Sequence, residues 1–189
     1  MQWGLQMLQC LSGVPRAIHH RECGCGSLPR RGLLGLGAGL ALAATAGRAA
    51  AASGEYEAML VNCIDPRFTT GSYAWMGAEH MRDRYGQFVI AGGPIGAVHP
   101  RFAAWHGAFW DNLAITVQLH HIKRVVAFSH RDCGAARQAF GDAGVATHAA
   151  ETACHAEALQ QFRAEVARRQ PELLVVAGIM ALDGTVDPV

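Results

Sequence analysis

The stretch "KRVVAFSHRDCGAAR", Lys123 to Arg137, decides how the rest of the chain is read. Its apolar run, Arg124 to Phe128, is too short for a helix and carries β-branched residues, so it reads as a strand buried on both faces. The strand gives out at Ser129 and His130, and Cys133 and Gly134 follow. An imidazole and a thiol three residues apart, at the end of a buried strand, are the materials of a metal site or of a thiol nucleophile. Choosing between them needs a partner from elsewhere in the chain.

Three further apolar runs resemble the first. "YEAMLVN" (Tyr56 to Asn62) ends at "CIDPR", "GQFVIAGG" (Gly86 to Gly93) is closed by glycines, and "ELLVVAGIMAL" (Glu172 to Leu182) is followed by the Asp-Gly turn of "LDGTV". Between them lie helix-length stretches. "RFAAWHGAFWDNLAITVQLHH" has Phe102, Trp105, Phe109, Leu113 and Val117 at helical spacing, and "ETACHAEALQQFRAEVARR" is stopped by Pro171. Strands alternating with helices predict a three-layer α/β fold, with a central, mostly parallel sheet flanked by helices. In such sheets ligands bind beyond the carboxyl ends of the strands, where Cys63 and His130 both fall. "TTGSYAWMGAEHMRD", Thr69 to Asp83, reads as an insertion between them.

Composition excludes some classes. The chain has 189 residues, a net charge of +1, and no basic block or stripe that would suit a nucleic-acid partner. Six cysteines, unevenly placed, do not make a disulfide framework. The N-terminal part reads differently: Arg30 and Arg31 precede an uncharged Gly/Ala/Leu run and then an alanine-rich stretch. That is the pattern of a twin-arginine export signal, so residues 1–52 are expected to be a signal recognised by the twin-arginine export machinery, and 53–189 the exported, periplasmic domain.

If the strands that Cys63 and His130 end are neighbours, Cys63, His130 and Cys133 converge at one sheet edge and offer two sulfurs and a nitrogen. That is a tetrahedral zinc set with one position left open. Asp65 and Arg67 flank Pro66 directly after Cys63; the carboxylate can accept a hydrogen bond from water at the site or occupy the fourth position, and Arg67 can hold it by a bidentate pair.

The ordered pair "CIDPR" and "HRDCG", each after a strand, resembles the Cys-x-Asp-x-Arg and His-x-x-Cys-Gly motifs of the β-class carbonic anhydrases, and the similarity runs from Glu55 to Val189. The resemblance implies zinc on Cys63, His130 and Cys133, an Asp65–Arg67 dyad, reversible hydration of carbon dioxide to bicarbonate, and a homodimer or higher homo-oligomer. It departs from the family at Ile90, where a polar segment is usual, and at Ser129, where glycine is usual. Those departures keep open a silent or divergent member that hydrolyses carbon disulfide or carbonyl sulfide. A thiol enzyme with His130 activating Cys133 is the reading from another class. Cys154 is expected in the core, and Trp75, Trp105, Phe109 and Trp110 in the core or at subunit contacts. His99, His106, His120 and His121 are candidate proton carriers, each equally open to an ordinary role.

Overall fold

The computed structural model describes residues 54–189; Arg30, Arg31 and the run behind them lie outside the described residues. Each apolar run becomes a strand: β1 (Ala58–Asn62), β2 (Tyr85–Val89), β3 (Arg124–His130) and β4 (Leu174–Met180), with β5 (Val186–Pro188) after the Asp183–Gly184 turn. The sheet order is β2-β1-β3-β4-β5. β1 pairs in parallel with β2 and β3, β3 pairs in parallel with β4, and β5 closes the far edge antiparallel. The expected mostly parallel sheet is therefore the one observed.

All five residues of β1 are buried. Alternation splits them between two cores. Met59 and Val61 join Val125, Ala127 and Ile179 beneath α3 (Ala103–His120) and α5 (His148–Arg169). Ala58 and Leu60 join Val126, Phe128 and Met180 beneath α1 (Thr69–Ala78). Phe109 of α3 and Phe162 of α5 are wholly buried, and truncating either to alanine would cost about 3–5 kcal/mol. α2 (Pro94–Val98), α4 (Gly134–Gly144) and two short 3-10 turns, Pro66–Phe68 and Pro100–Phe102, complete the described elements. Among the described residues no helix is long and apolar enough to cross a membrane.

Two expectations change. The stretch taken as an insertion carries α1, which buries Met76 against the sheet and is an integral layer of the fold. On α5 the wholly buried side chain is His155, and Cys154 is only half-buried; neighbours on a helix point about 100° apart, and the apolar face runs through 155, 159, 162 and 166. Of the four aromatics expected in the core or at subunit contacts, Phe109 and Trp110 are buried in the core, and Trp105 is exposed, stacking on Phe102 at the surface.

Strand order places the site. From β1 the chain goes to β2 on one side, then crosses back to β3 on the other. The crevice opens where the order reverses, at the carboxyl ends of β1 and β3.

Candidate metal centre

Cys63, His130 and Cys133 meet in that crevice, all three buried, with their ligand atoms within 4.8 Å of one another. Cys63 is the residue after β1, His130 ends β3, and Cys133 immediately precedes α4. A glycine turn completes the wall. Gly93 has φ 54°, and a Cβ there would lie 2.8 Å from the carbonyl oxygen of Phe128 and 3.1 Å from the carbonyl carbon of Asn62, so only glycine allows this close approach. Its neighbour Gly92, at φ 77°, donates its N–H to Cys63 Sγ at 3.2 Å.

The donor atoms fit a metal ion. His130 Nδ1 lies 2.8 Å from the carbonyl oxygen of Arg131, a contact that requires the proton on Nδ1 and leaves the lone pair on Nε2. Nε2 is buried and has no hydrogen-bond partner, which is costly for a polar atom unless something else occupies it. The ring is held by Phe68, stacked at 3.9 Å between centroids. Cys63 is pulled well below the ordinary thiol range, first by the Cys133 thiol beside it and also by the amides of Asp65 and Gly92, against the opposing effect of burial. Cys133 is pushed up because it holds the proton against Cys63 and because it is buried. Two sulfurs sharing one proton beside an orphaned imidazole nitrogen are a set that zinc would satisfy at once.

Asp65 and Arg67 form the pair expected of them. Arg67 Nε reaches Asp65 Oδ1 at 3.1 Å and Nη2 reaches Oδ2 at 2.7 Å, while Asp65 Oδ1 also accepts the Arg67 N–H at 3.0 Å. These donors hold the Asp65 carboxyl down to about 2 and raise Arg67 above its ordinary value. Arg67 has a second carboxylate that the sequence reading missed: Nη1 donates to Asp132 Oδ2 at 2.8 Å. A cavity of about 330 Å³ opens beside Cys133, lined also by Asp132, Arg137 and His148.

The other singled-out histidines have local engagements. His99 accepts the Arg101 N–H, the His106 ring meets the His99 carbonyl, the His120 ring meets the Gly54 carbonyl, and His121 ends α3 in the left-handed conformation at φ 50°. The histidine that lines the cavity beside Cys133 is His148, which sequence reasoning passed over because only the α5 start brings it there.

No family model matches the chain. An uncharacterized protein of Rickettsia conorii is 28% identical over 135 residues, covering 71% of this chain and 73% of that protein. An uncharacterized protein of Rickettsia bellii is 26% identical over 135 residues, covering 71% and 82%. Among solved structures, the chain is similar to the β-carbonic anhydrase CafA of Aspergillus fumigatus, with a TM-score of 0.48 and 15% identity over 72% of this chain and 76% of that one. It is also similar to the carbonic anhydrase from Glaciozyma antarctica, with a TM-score of 0.44 and 17% identity over 71% and 82%.

Proposed function

We propose that the chain is a zinc-dependent carbonic anhydrase that interconverts carbon dioxide and bicarbonate. The observation that carries this reading is the buried Cys63–His130–Cys133 donor set with its orphaned Nε2, next to a carboxylate held by arginine. Cys63, His130 and Cys133 would hold the zinc, which supplies a Lewis acid that brings the pKa of water toward neutrality. Asp65, held near 2, is ionised throughout the neutral range. It therefore accepts a hydrogen bond and does not take up the proton that hydration releases. Arg67 grips that carboxylate at both oxygens, a restraint that would hold it from the fourth position and leave that position to water. The cavity beside Cys133 would offer an approach from solvent.

The test is proton release on mixing the zinc-loaded protein with carbon dioxide, followed by a pH indicator. Hydration well above the buffer rate, lost on chelation, is the expected result; a fully zinc-loaded protein no faster than buffer would overturn the reading. One observation favours the silent or divergent alternative. Ile90, half-buried beside the glycine turn, and Ser129, buried with an unpartnered hydroxyl, stand where the resembled family carries other residues. Hydrolysis of carbon disulfide or carbonyl sulfide without carbon dioxide hydration would select it. A thiol nucleophile is less well supported, because Cys133 is 3% exposed and an attacking sulfur needs access.

The resemblance supports a homo-oligomer, which sedimentation of the purified chain would measure. Arg30 and Arg31 support twin-arginine export to the periplasm. That route carries folded proteins, so zinc acquired beforehand would keep the thiolates from pairing in an oxidising compartment. A fusion with lysine at both positions should stay in the cytoplasm, and its undiminished export would overturn this part.

A further inference from the structure

The turn between His130, which ends β3, and Cys133 rests on a residue far along the chain. Arg131 and Asp132 separate His130 from Cys133, and Asp132 sits at φ 55°, a left-handed conformation unfavourable for a residue with a side chain. Such a turn persists when its surroundings hold it. Glu151, in the first turn of α5, is buried against it: Oε1 accepts the Asp132 N–H at 2.7 Å, and Oε2 faces Arg131 Nη1 at 3.4 Å. Arg131 is tied on to Thr152 Oγ1 at 2.7 Å. The wholly buried His155 places Nε2 3.9 Å from Glu151 Oε1 and closes the inner side.

The Asp132 N–H belongs to the same peptide group as the Arg131 carbonyl, and that carbonyl accepts from His130 Nδ1. In a trans peptide the N–H and C=O point in opposite directions. Glu151 and His130 therefore lie at the two ends of one peptide dipole. A carboxylate that accepts from the N–H end polarises the group and makes its oxygen a stronger acceptor. Metal-binding histidines commonly give their second N–H to a carboxylate or a carbonyl. Here the carbonyl is itself backed by a carboxylate.

We propose that Glu151 is a positioning residue for the metal centre, acting on His130 through the Arg131–Asp132 peptide: it fixes the imidazole's tautomer and direction and strengthens Nε2 as a donor. The inference rests on the proposed zinc site, yet the peptide relay is present in the chain itself. Its experiment uses Glu151→Gln, which keeps an oxygen acceptor without the charge, and Glu151→Ala, which removes the acceptor. The readouts are the proton shift of His130 Nδ1–H, with and without zinc, and zinc affinity by competition with a chelator. The resonance should move upfield in Glu151→Gln, and zinc affinity should fall a few-fold there and about 10–100-fold in Glu151→Ala. If the alanine variant does not fold, the glutamine variant decides alone. An unmoved Nδ1–H resonance with unchanged zinc affinity in Glu151→Gln overturns the inference. A wild-type chain that takes up no zinc overturns the zinc reading, and the shift in the metal-free chain then judges the relay separately.

Discussion

The two turns that build the site are made in opposite ways. The turn after β1 is held largely from within: Pro66 starts a short 3-10 turn, Asp65 caps it, and Arg67 folds back onto the cap, 45% exposed and with one outside tie, to Asp132. The turn after β3 is held by others, with His130 and Cys133 buried, Phe68 against the ring, and Glu151 reaching in from α5. Chemistry that must adjust sits on the first turn, where water can reach it. Two of the three proposed ligands, His130 and Cys133, sit on the second, and the third, Cys63, stands between β1 and the first turn. Damage to the second turn should cost metal and fold together, whereas damage to the Asp65–Arg67 pair of the first should cost activity and leave metal in place.

The largest effect tests the second turn. Cys133→Ala or His130→Ala should abolish stoichiometric zinc and lower the melting temperature of the zinc-treated protein, since metal-binding energy is also folding energy. Metal analysis showing full zinc in Cys133→Ala would break the comparison at its base.

Next comes acid stability. Burial holds His155 neutral, down to about 4, against the pull of Glu151 and with His130 and Arg131 opposing a further charge. Its folded value lies below its unfolded one, so the unfolded chain binds the extra proton first. Stability is then full above the ordinary histidine pKa and falls as pH drops from there toward 4, by up to about 3 kcal/mol. Denaturant melts of the metal-free chain should show this loss, and His155→Gln should flatten it; an equally steep fall in the variant would detach α5 from the second turn.

On the first turn, Arg67→Ala should keep its zinc and lose carbon dioxide hydration by about a hundredfold. Activity equal to wild type would show that the Asp65–Arg67 pair has no part in the reaction. The smallest effect belongs to Asp65→Asn in the metal-free chain. Its depressed carboxyl contributes stability above the ordinary carboxylate pKa, lost as pH falls through about 2. Because the pair is partly in water, the difference from wild type at neutral pH should stay under about 1 kcal/mol in urea melts. A loss of several kcal/mol would mean the first turn is as structural as the second.

Much of this could be read in the residues. Short apolar runs with β-branched residues gave the strands, and sulfur and imidazole after two of them gave the donor set, because few other residue types bind zinc. What stayed hidden depends on three-dimensional neighbours. α1, with Gly71 and Gly77 and no strong apolar period, offers little local signal for a helix. Cys154 and His155 differ only in helix phase, which shifts with the helix start; that start is His148, one turn before the apolar pattern suggests. Glu151 is 19 residues from the amide it accepts, and nothing in a sequence marks such a pairing.

The strand order has one more consequence, for how the chain folds. β1 lies between β2 and β3, so Cys63 reaches the other two ligands only when β1 has paired with β3. His130 and Cys133 come together locally, but Arg67 and Asp132, which close the crevice, are 65 residues apart. Non-local parallel pairings of this kind are slow to form, because loop-closure entropy is spent before contacts return it. The centre should consequently be among the last parts of the molecule to assemble, and a half-made sheet would leave Cys63 and Cys133 on two unjoined pieces. Refolding in the absence of metal should be the most oxidation-sensitive interval in the life of this chain.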